Sequence, residues 1–102
     1  MRALYKSLEA NDERVNDLAE IFKMLGDPTR LRILATLVGG ERCVHELCAR
    51  LQMSQPAISH QLRILRGARL VRPRRAGREI FYTLDDAHVT VLLEEGLKHA
   101  GH

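Results

Sequence analysis

The sequence predicts a mainly α-helical domain carrying one β-hairpin. Apolar residues recur at helical spacing through most of the 102 residues, and proline, glycine and short polar residues break the chain between the periodic stretches. One segment near residue 76 is instead rich in β-formers around a central Ala76-Gly77. The 28% charged and 4% aromatic composition suits helices packed through Leu, Ile, Val and Ala. The length corresponds to one domain over residues 1–102, with a modest core that dimerisation would help.

Each element follows from local signals. Val15, Leu18, Ala19, Phe22 and Leu25 define a helix from Glu13 to Met24, with Asn11 or Asp12 as its cap. Gly26-Asp27-Pro28 breaks it, offering Asp27 as the next N-cap and Pro28 as a first helical residue. The helix Thr29 to Val38 is expected to bury Leu31, Ile33, Leu34 and Leu37 and to stop at Gly39-Gly40. A short helix from Val44 to Leu51 leads into the turn Gln52-Met53-Ser54. Ser54 caps a further helix from Gln55 to about Arg66, with Pro56 in its first turn. Leu70–Arg75 and Arg78–Leu84 form the hairpin, and Pro73, which has no N–H to donate, makes the first strand an edge strand or a bulged one. The C-terminal segment is read as a last helix. No repeat or low-complexity stretch interrupts the chain.

A short helix, a tight turn and a Ser-capped helix with a polar exposed side form the pattern of a helix-turn-helix. On that pattern Ser54, Gln55, Ala57, Ser59, His60 and Arg63 are the candidate DNA-reading residues: Gln can pair with adenine through two hydrogen bonds, and Arg suits guanine or phosphate. An ordinary amphipathic surface helix would look similar. The hairpin that follows carries Arg72, Arg74, Arg75 and Arg78, four guanidinium groups within seven residues, which reads as a phosphate-contacting wing. A charged edge strand kept soluble by arginine is the plainer alternative. Together the two patterns point to a winged helix-turn-helix that binds double-stranded DNA, and a net charge of +3 permits this.

Three of the five histidines fall in the last fifteen residues. Asp86, His88, His99 and His102 are spaced D-x-H, then H-x-x-H. At about 100° per residue His99 lies about 20° round the helix from His88, and His102 about 40°, so all three share one face. His88 and His99 are nevertheless roughly 16 Å apart along the axis, while Zn–N bonds are about 2 Å. One helix cannot close both pairs on one ion. Two antiparallel copies can, which predicts a homodimer with two interfacial metal sites. A solvated or simply packed histidine stripe is the alternative.

These stretches resemble the ArsR/SmtB family of metal-sensing winged-helix repressors over nearly the whole chain. The likeness rests on Phe22–Leu34 (FKMLGDPTRLRIL), Cys43–Cys48 (CVHELC), Ser54–Leu62 (SQPAISHQL), Gly77–Tyr82 (GREIFY) and the C-terminal quartet. The resemblance implies a dimer pairing through its terminal helices, whose apo form binds an inverted-repeat operator and is loosened by metal. Zinc- and cobalt-responsive members are similar in placing D-x-H and H-x-x-H across paired C-terminal helices. It therefore implies Zn(II) or Co(II) held by Asp86, His88, His99 and His102, a donor set suited to a tetrahedral ion.

The family's thiolate site on the short helix carries Cys-Val-Cys, where this chain has Cys43-Val44-His45-Glu46. One thiolate does not suffice for a soft ion. Cys43, His45 and Glu46 remain a possible secondary metal or thiol site, with Cys43 as a small buried hydrophobe the plainer reading. Two rival functions stay open: a thiol- or redox-responsive repressor using Cys43 and Cys48, and a constitutive DNA-binding protein with structural zinc. Nothing supports an enzyme, since there is no phosphate-cradling loop, nucleophile elbow or separate general base. Short apolar runs, and two cysteines five residues apart that point differently on one helix and so are not expected to pair, lead us to expect a cytoplasmic protein without a membrane span.

Overall fold

Four of the five helices described below begin where a side chain accepts a backbone N–H that the first turn leaves without a partner. The structure, a computed structural model, describes Lys6, Glu9 and residues 11–101. Helix α1 (Asp12–Leu25) starts at Asn11, whose side chain accepts from the Arg14 N–H at 3.1 Å. Helix α2 (Pro28–Val38) starts at Asp27, which accepts from the Arg30 N–H at 2.9 Å, with Pro28 supplying a pre-set φ. After strand β1 (Arg42–Cys43) come α3 (Val44–Leu51) and α4 (Gln55–Gly67), the latter capped by Ser54. Strands β2 (Val71–Ala76) and β3 (Glu79–Leu84) form the hairpin, and α5 (Ala87–His99) follows from an Asp86 cap.

The sheet is three-stranded and antiparallel, in the order β1-β3-β2. Strand β2 is therefore an edge strand, as Pro73 requires. Val71 pairs with Leu84 and Ala76 with Glu79, leaving Gly77-Arg78 as the two-residue turn. Gly77 has φ +64°, a left-handed value that glycine adopts without a Cβ clash. The turn thus lies one residue beyond the expected Ala76-Gly77, and Arg78 belongs to it rather than to the strand. Strand β1 has only two residues and no detectable periodicity, which is why it is invisible in the sequence.

One apolar core joins the helices to the hairpin. Ile33, Leu34 and Leu37 of α2, Leu47 of α3, and Ile58, Leu62 and Leu65 of α4 are buried together with Leu70, Val71 and Val89. Ile58, Leu62 and Leu65 follow the i, i+4, i+7 spacing of one helical face, so the opposite face of α4 must point to solvent. Leu31 departs from expectation: it is 38% exposed, because its side of α2 faces an open groove rather than the core. Helix α1 has no buried residue at all, although Ile21, Met24 and Leu25 pack against the core.

Replacing Leu62 by Ala should cost about 2–5 kcal/mol of stability, the usual range for a fully buried leucine. Asp27→Ala should cost about 1 kcal/mol through the lost cap. Urea unfolding of both variants checks the ranking; equal costs would mean that the α4 stripe is not the centre of the core.

Candidate nucleic-acid interface and metal site

The buried stripe of α4 decides which of its residues face outward. Ser54, Gln55, His60 and Arg63 are exposed, and Ala57 and Ser59 are half-buried. Ser54 Oγ accepts the Ala57 N–H at 3.3 Å, leaving its own proton available to a phosphate or base edge. Gln55 Nε2 donates to Ser59 Oγ at 3.1 Å, one helical turn on. Gln55, Ser59 and Arg63 thus form a polar row at i, i+4, i+8. Ile58 is fully buried and packs in the core, out of reach of a thymine methyl.

Arg30, to which the sequence assigns no role, supports this helix from behind. Its Nε donates to the Met24 carbonyl at 3.0 Å, and a terminal nitrogen donates to Gln61 Oε1 at 3.3 Å. One side chain therefore ties the end of α1 to α4. No sequence signal could have found this, because the partners are thirty-one residues apart.

The wing arginines do not share one environment. Strand alternation puts Arg72 and Arg74 on one face of the ribbon, opposite Thr83 and Phe81, and Arg75 on the other, opposite Ile80. Arg72, Arg75 and Arg78 are exposed. Arg74 is engaged: its Nε and one terminal nitrogen reach the Glu41 carboxylate at 2.9 and 2.6 Å, and its guanidinium lies 5.2 Å from the Phe81 ring centre. The Arg74 hydrogen bonds hold the Glu41 carboxyl below the ordinary carboxylate range. A cleft of about 510 Å³ separates Gln55 and Ser59 from Ile80 and Tyr82 of the wing.

At the start of α5, Asp86 and His88 come together. Asp86 Oδ1 accepts the His88 N–H at 2.8 Å and sits 3.2 Å from His88 Nδ1. That backbone hydrogen bond, foremost, lowers the Asp86 pKa, which keeps the carboxylate ionised as both cap and candidate ligand. The His88 side chain is 92% exposed, so no protein group encloses it. His99 closes the same helix eleven residues on, and His102 lies outside the described residues. Among the described residues of one chain, no three His, Cys, Asp or Glu side chains converge as a metal site. Of the four residues named as candidate ligands, Asp86 and His88 are thus the two that the structure brings together.

Cys43, His45 and Glu46 do not converge either. Cys43 is buried, and burial pushes its thiol up, away from the thiolate. Glu46 Oε1 instead accepts the Cys43 backbone N–H at 3.2 Å at the start of α3, and His45 is exposed. Cys43 and Cys48 are both free, with Cys48 packed against the core.

Toward the C-terminal half of α5, α1, α2 and α5 enclose an apolar groove of about 600 Å³, lined among others by Phe22, Leu31, Val38, Leu92 and Leu97. Phe22 is 53% and Leu97 66% exposed.

Comparison with known proteins accords with this geometry. The family profile "Bacterial regulatory protein, arsR family" matches residues 27–72, from the α2 cap to the wing. The regulator NmtR of Mycobacterium tuberculosis is 41% identical over 96 residues, covering 94% of this chain and 80% of that protein. The chain belongs to the arsR family of bacterial regulatory proteins. The solution structure of apo-NmtR superposes with a TM-score of 0.78, covering 90% of this chain and 77% of that one. A Synechocystis "Transcriptional repressor SmtB homolog" is 46% identical over 87 residues, 85% of this chain but 66% of the relative's length. A Staphylococcus aureus "Cadmium resistance transcriptional regulatory protein CadC homolog" is 37% identical over 84 residues, 81% of this chain and 69% of that protein. This ArsR-family member is accordingly a helix-turn-helix transcriptional regulator and not an enzyme. No described helix is long and apolar enough to cross a membrane.

Substituting Arg75 or Arg72 by Gln should weaken binding to every duplex and lower the salt slope by about 0.9 each. Gln55→Ala should instead relax sequence preference and leave the slope unchanged. Anisotropy titrations at several salt concentrations separate the two; identical effects would deny the division between wing and recognition helix.

Proposed function

We propose that this ArsR-family regulator is a cytoplasmic, metal-responsive repressor whose apo dimer binds an inverted-repeat operator and loses affinity on binding Zn(II) or Co(II). The observation that carries this reading is the exposed Asp86–His88 pair at one end of α5, with His99 at the other. Two donors at each end of one helix, roughly 16 Å apart, make two complete four-donor sites only when two helices run antiparallel. Asp86 and His88 of one protomer would be joined by His99 and His102 of the second. Three nitrogens and one carboxylate oxygen match what tetrahedral Zn(II) or Co(II) accepts.

A second copy of this chain is the natural cover for the apolar groove, since α1 and α5 both line it and α5 carries the half-sites. In that dimer the two α4 helices are set to enter successive major grooves, with Ser54, Gln55, Ala57, Ser59, His60 and Arg63 toward the bases. Arg72, Arg75 and Arg78 lie toward the phosphates. Bridging the paired α5 helices favours one dimer geometry over another, and the mismatch between recognition helices and grooves lowers operator affinity. A coupling of about 1–3 kcal/mol corresponds to about 5–150-fold in affinity. The relatives named for a repressor and for cadmium resistance support a metal-linked regulator in general terms. The raised, buried Cys43 thiol argues against thiol sensing.

Titrating Zn(II) into the apo protein on a labelled duplex from upstream of its own gene should lower affinity at least fivefold, at constant salt. His99→Ala should keep apo DNA binding and lose the metal response. Tighter binding with zinc would mean a structural ion and overturn derepression. Imidazole binds metal only when neutral, so metal affinity unchanged between about pH 5.5 and 8 would rule out histidine ligation.

A further inference from the structure

The Arg74–Glu41 pair has a place in the fold that phosphate binding does not account for. Glu41 precedes β1, which pairs with β3, and Arg74 lies on β2 at the other side of β3. The Arg74 side chain must therefore cross β3, and it does so over Phe81, its own register partner. Two hydrogen bonds at 2.9 and 2.6 Å then close a fork on the carboxylate. Fork geometry of this kind fixes orientation as well as distance.

The strands that it connects do not pair with each other. Strand β1 contributes only the pairs Arg42↔Tyr82 and Cys43↔Phe81. Strand β2 is an edge, and Pro73, immediately before Arg74, cannot donate a hydrogen bond. The segment leading to Glu41 contains Gly39 and Gly40, the second at φ +135°. A glycine-containing approach and an edge strand, on opposite sides of β3, are thus joined by a single side chain.

We propose that Arg74 is a positioning residue for DNA binding: with Glu41 it sets the angle of the wing, and phosphate contact falls to Arg72, Arg75 and Arg78. This rests on the operator-binding reading above. Arg74 is exposed as well, so what sets the three other arginines apart is that none has a side-chain partner among the described hydrogen bonds and salt bridges.

The test is the salt dependence of duplex binding by wild type, Glu41→Gln, Arg74→Gln, Arg74→Lys, the Glu41→Gln/Arg74→Gln double variant and Arg75→Gln. The probes are the labelled upstream duplex and a scrambled duplex, between about 50 and 200 mM salt. A positioning role predicts that Glu41→Gln and Arg74→Gln each weaken binding about fivefold while keeping the wild-type slope. Arg74→Lys should behave like Arg74→Gln, because lysine keeps the charge but not the fork. The double variant should be no weaker than either single one, and Arg75→Gln should lower the slope by about 0.9. The proposal is overturned if Arg74→Gln lowers the slope as Arg75→Gln does, if Arg74→Lys binds like wild type, or if Glu41→Gln tightens binding. It is equally overturned if none of the Glu41 and Arg74 variants changes affinity. Failure of the wild type to bind either duplex would remove the DNA-binding reading itself, a result distinct from any of these.

Discussion

The burial of Ile58, Leu62 and Leu65 is the constraint on which the remainder of the structure depends. These three residues press one face of α4 against Ile33, Leu34 and Leu47, and the same core continues through Leu70 and Val71 into the hairpin. A helix clamped along one face can present only the opposite one. Gln55, Ser59 and Arg63 therefore point outward as a consequence of packing, and no separate device is needed to aim them. The wing is linked to the same clamp because Val71, its first strand residue, is 1% exposed. Recognition helix and the base of the wing thus derive their placement from one apolar cluster within a chain of 102 residues.

Most of the architecture was legible because its causes are local. The caps at Asn11, Asp27, Ser54 and Asp86 are short polar side chains immediately before periodic apolar runs, and each accepts a backbone N–H in the structure. The edge position of β2 follows from the missing N–H of Pro73. The misplaced features have non-local causes. Periodicity tells which helical face is apolar but not what covers it, so Leu31 reads as core although it faces the open groove. Strand β1 exists only because β3 is beside it. The hairpin turn shifted by one residue because register is decided by side-chain pairing along the whole ladder, with Ala76 able to pair with Glu79.

The candidate site divides along the same line. Composition and spacing locate the arginines and histidines, because charge and helical angle can be counted from sequence. They do not assign a partner to each charge. Arg74 looked equivalent to Arg72 and Arg75, yet it alone stacks on Phe81 and meets Glu41, thirty-three residues away. Likewise Glu46, a candidate ligand by proximity to Cys43 and His45, has its carboxylate turned to the Cys43 amide. In both cases a nearby hydrogen-bonding group decides the use of a charged side chain, and sequence separation hides that group.

The two regulatory ingredients occupy one element for a physical reason. Helix α5 is lightly anchored, with Val89 its only buried residue and Leu93 packed against the core. Val91, Leu92 and Leu97 on the same helix remain exposed. An element with so little buried surface can shift at modest cost, whereas α4, buried along its length, cannot move without carrying the core with it. The donors and the pairing surface proposed above both fall on this compliant element. Arg30 adds to the stiff part, since it bonds both the Met24 carbonyl at the end of α1 and Gln61 on α4. The fold thus divides into a stiff unit centred on α4 and a compliant α5, and under the proposed function the ion would act on the compliant one.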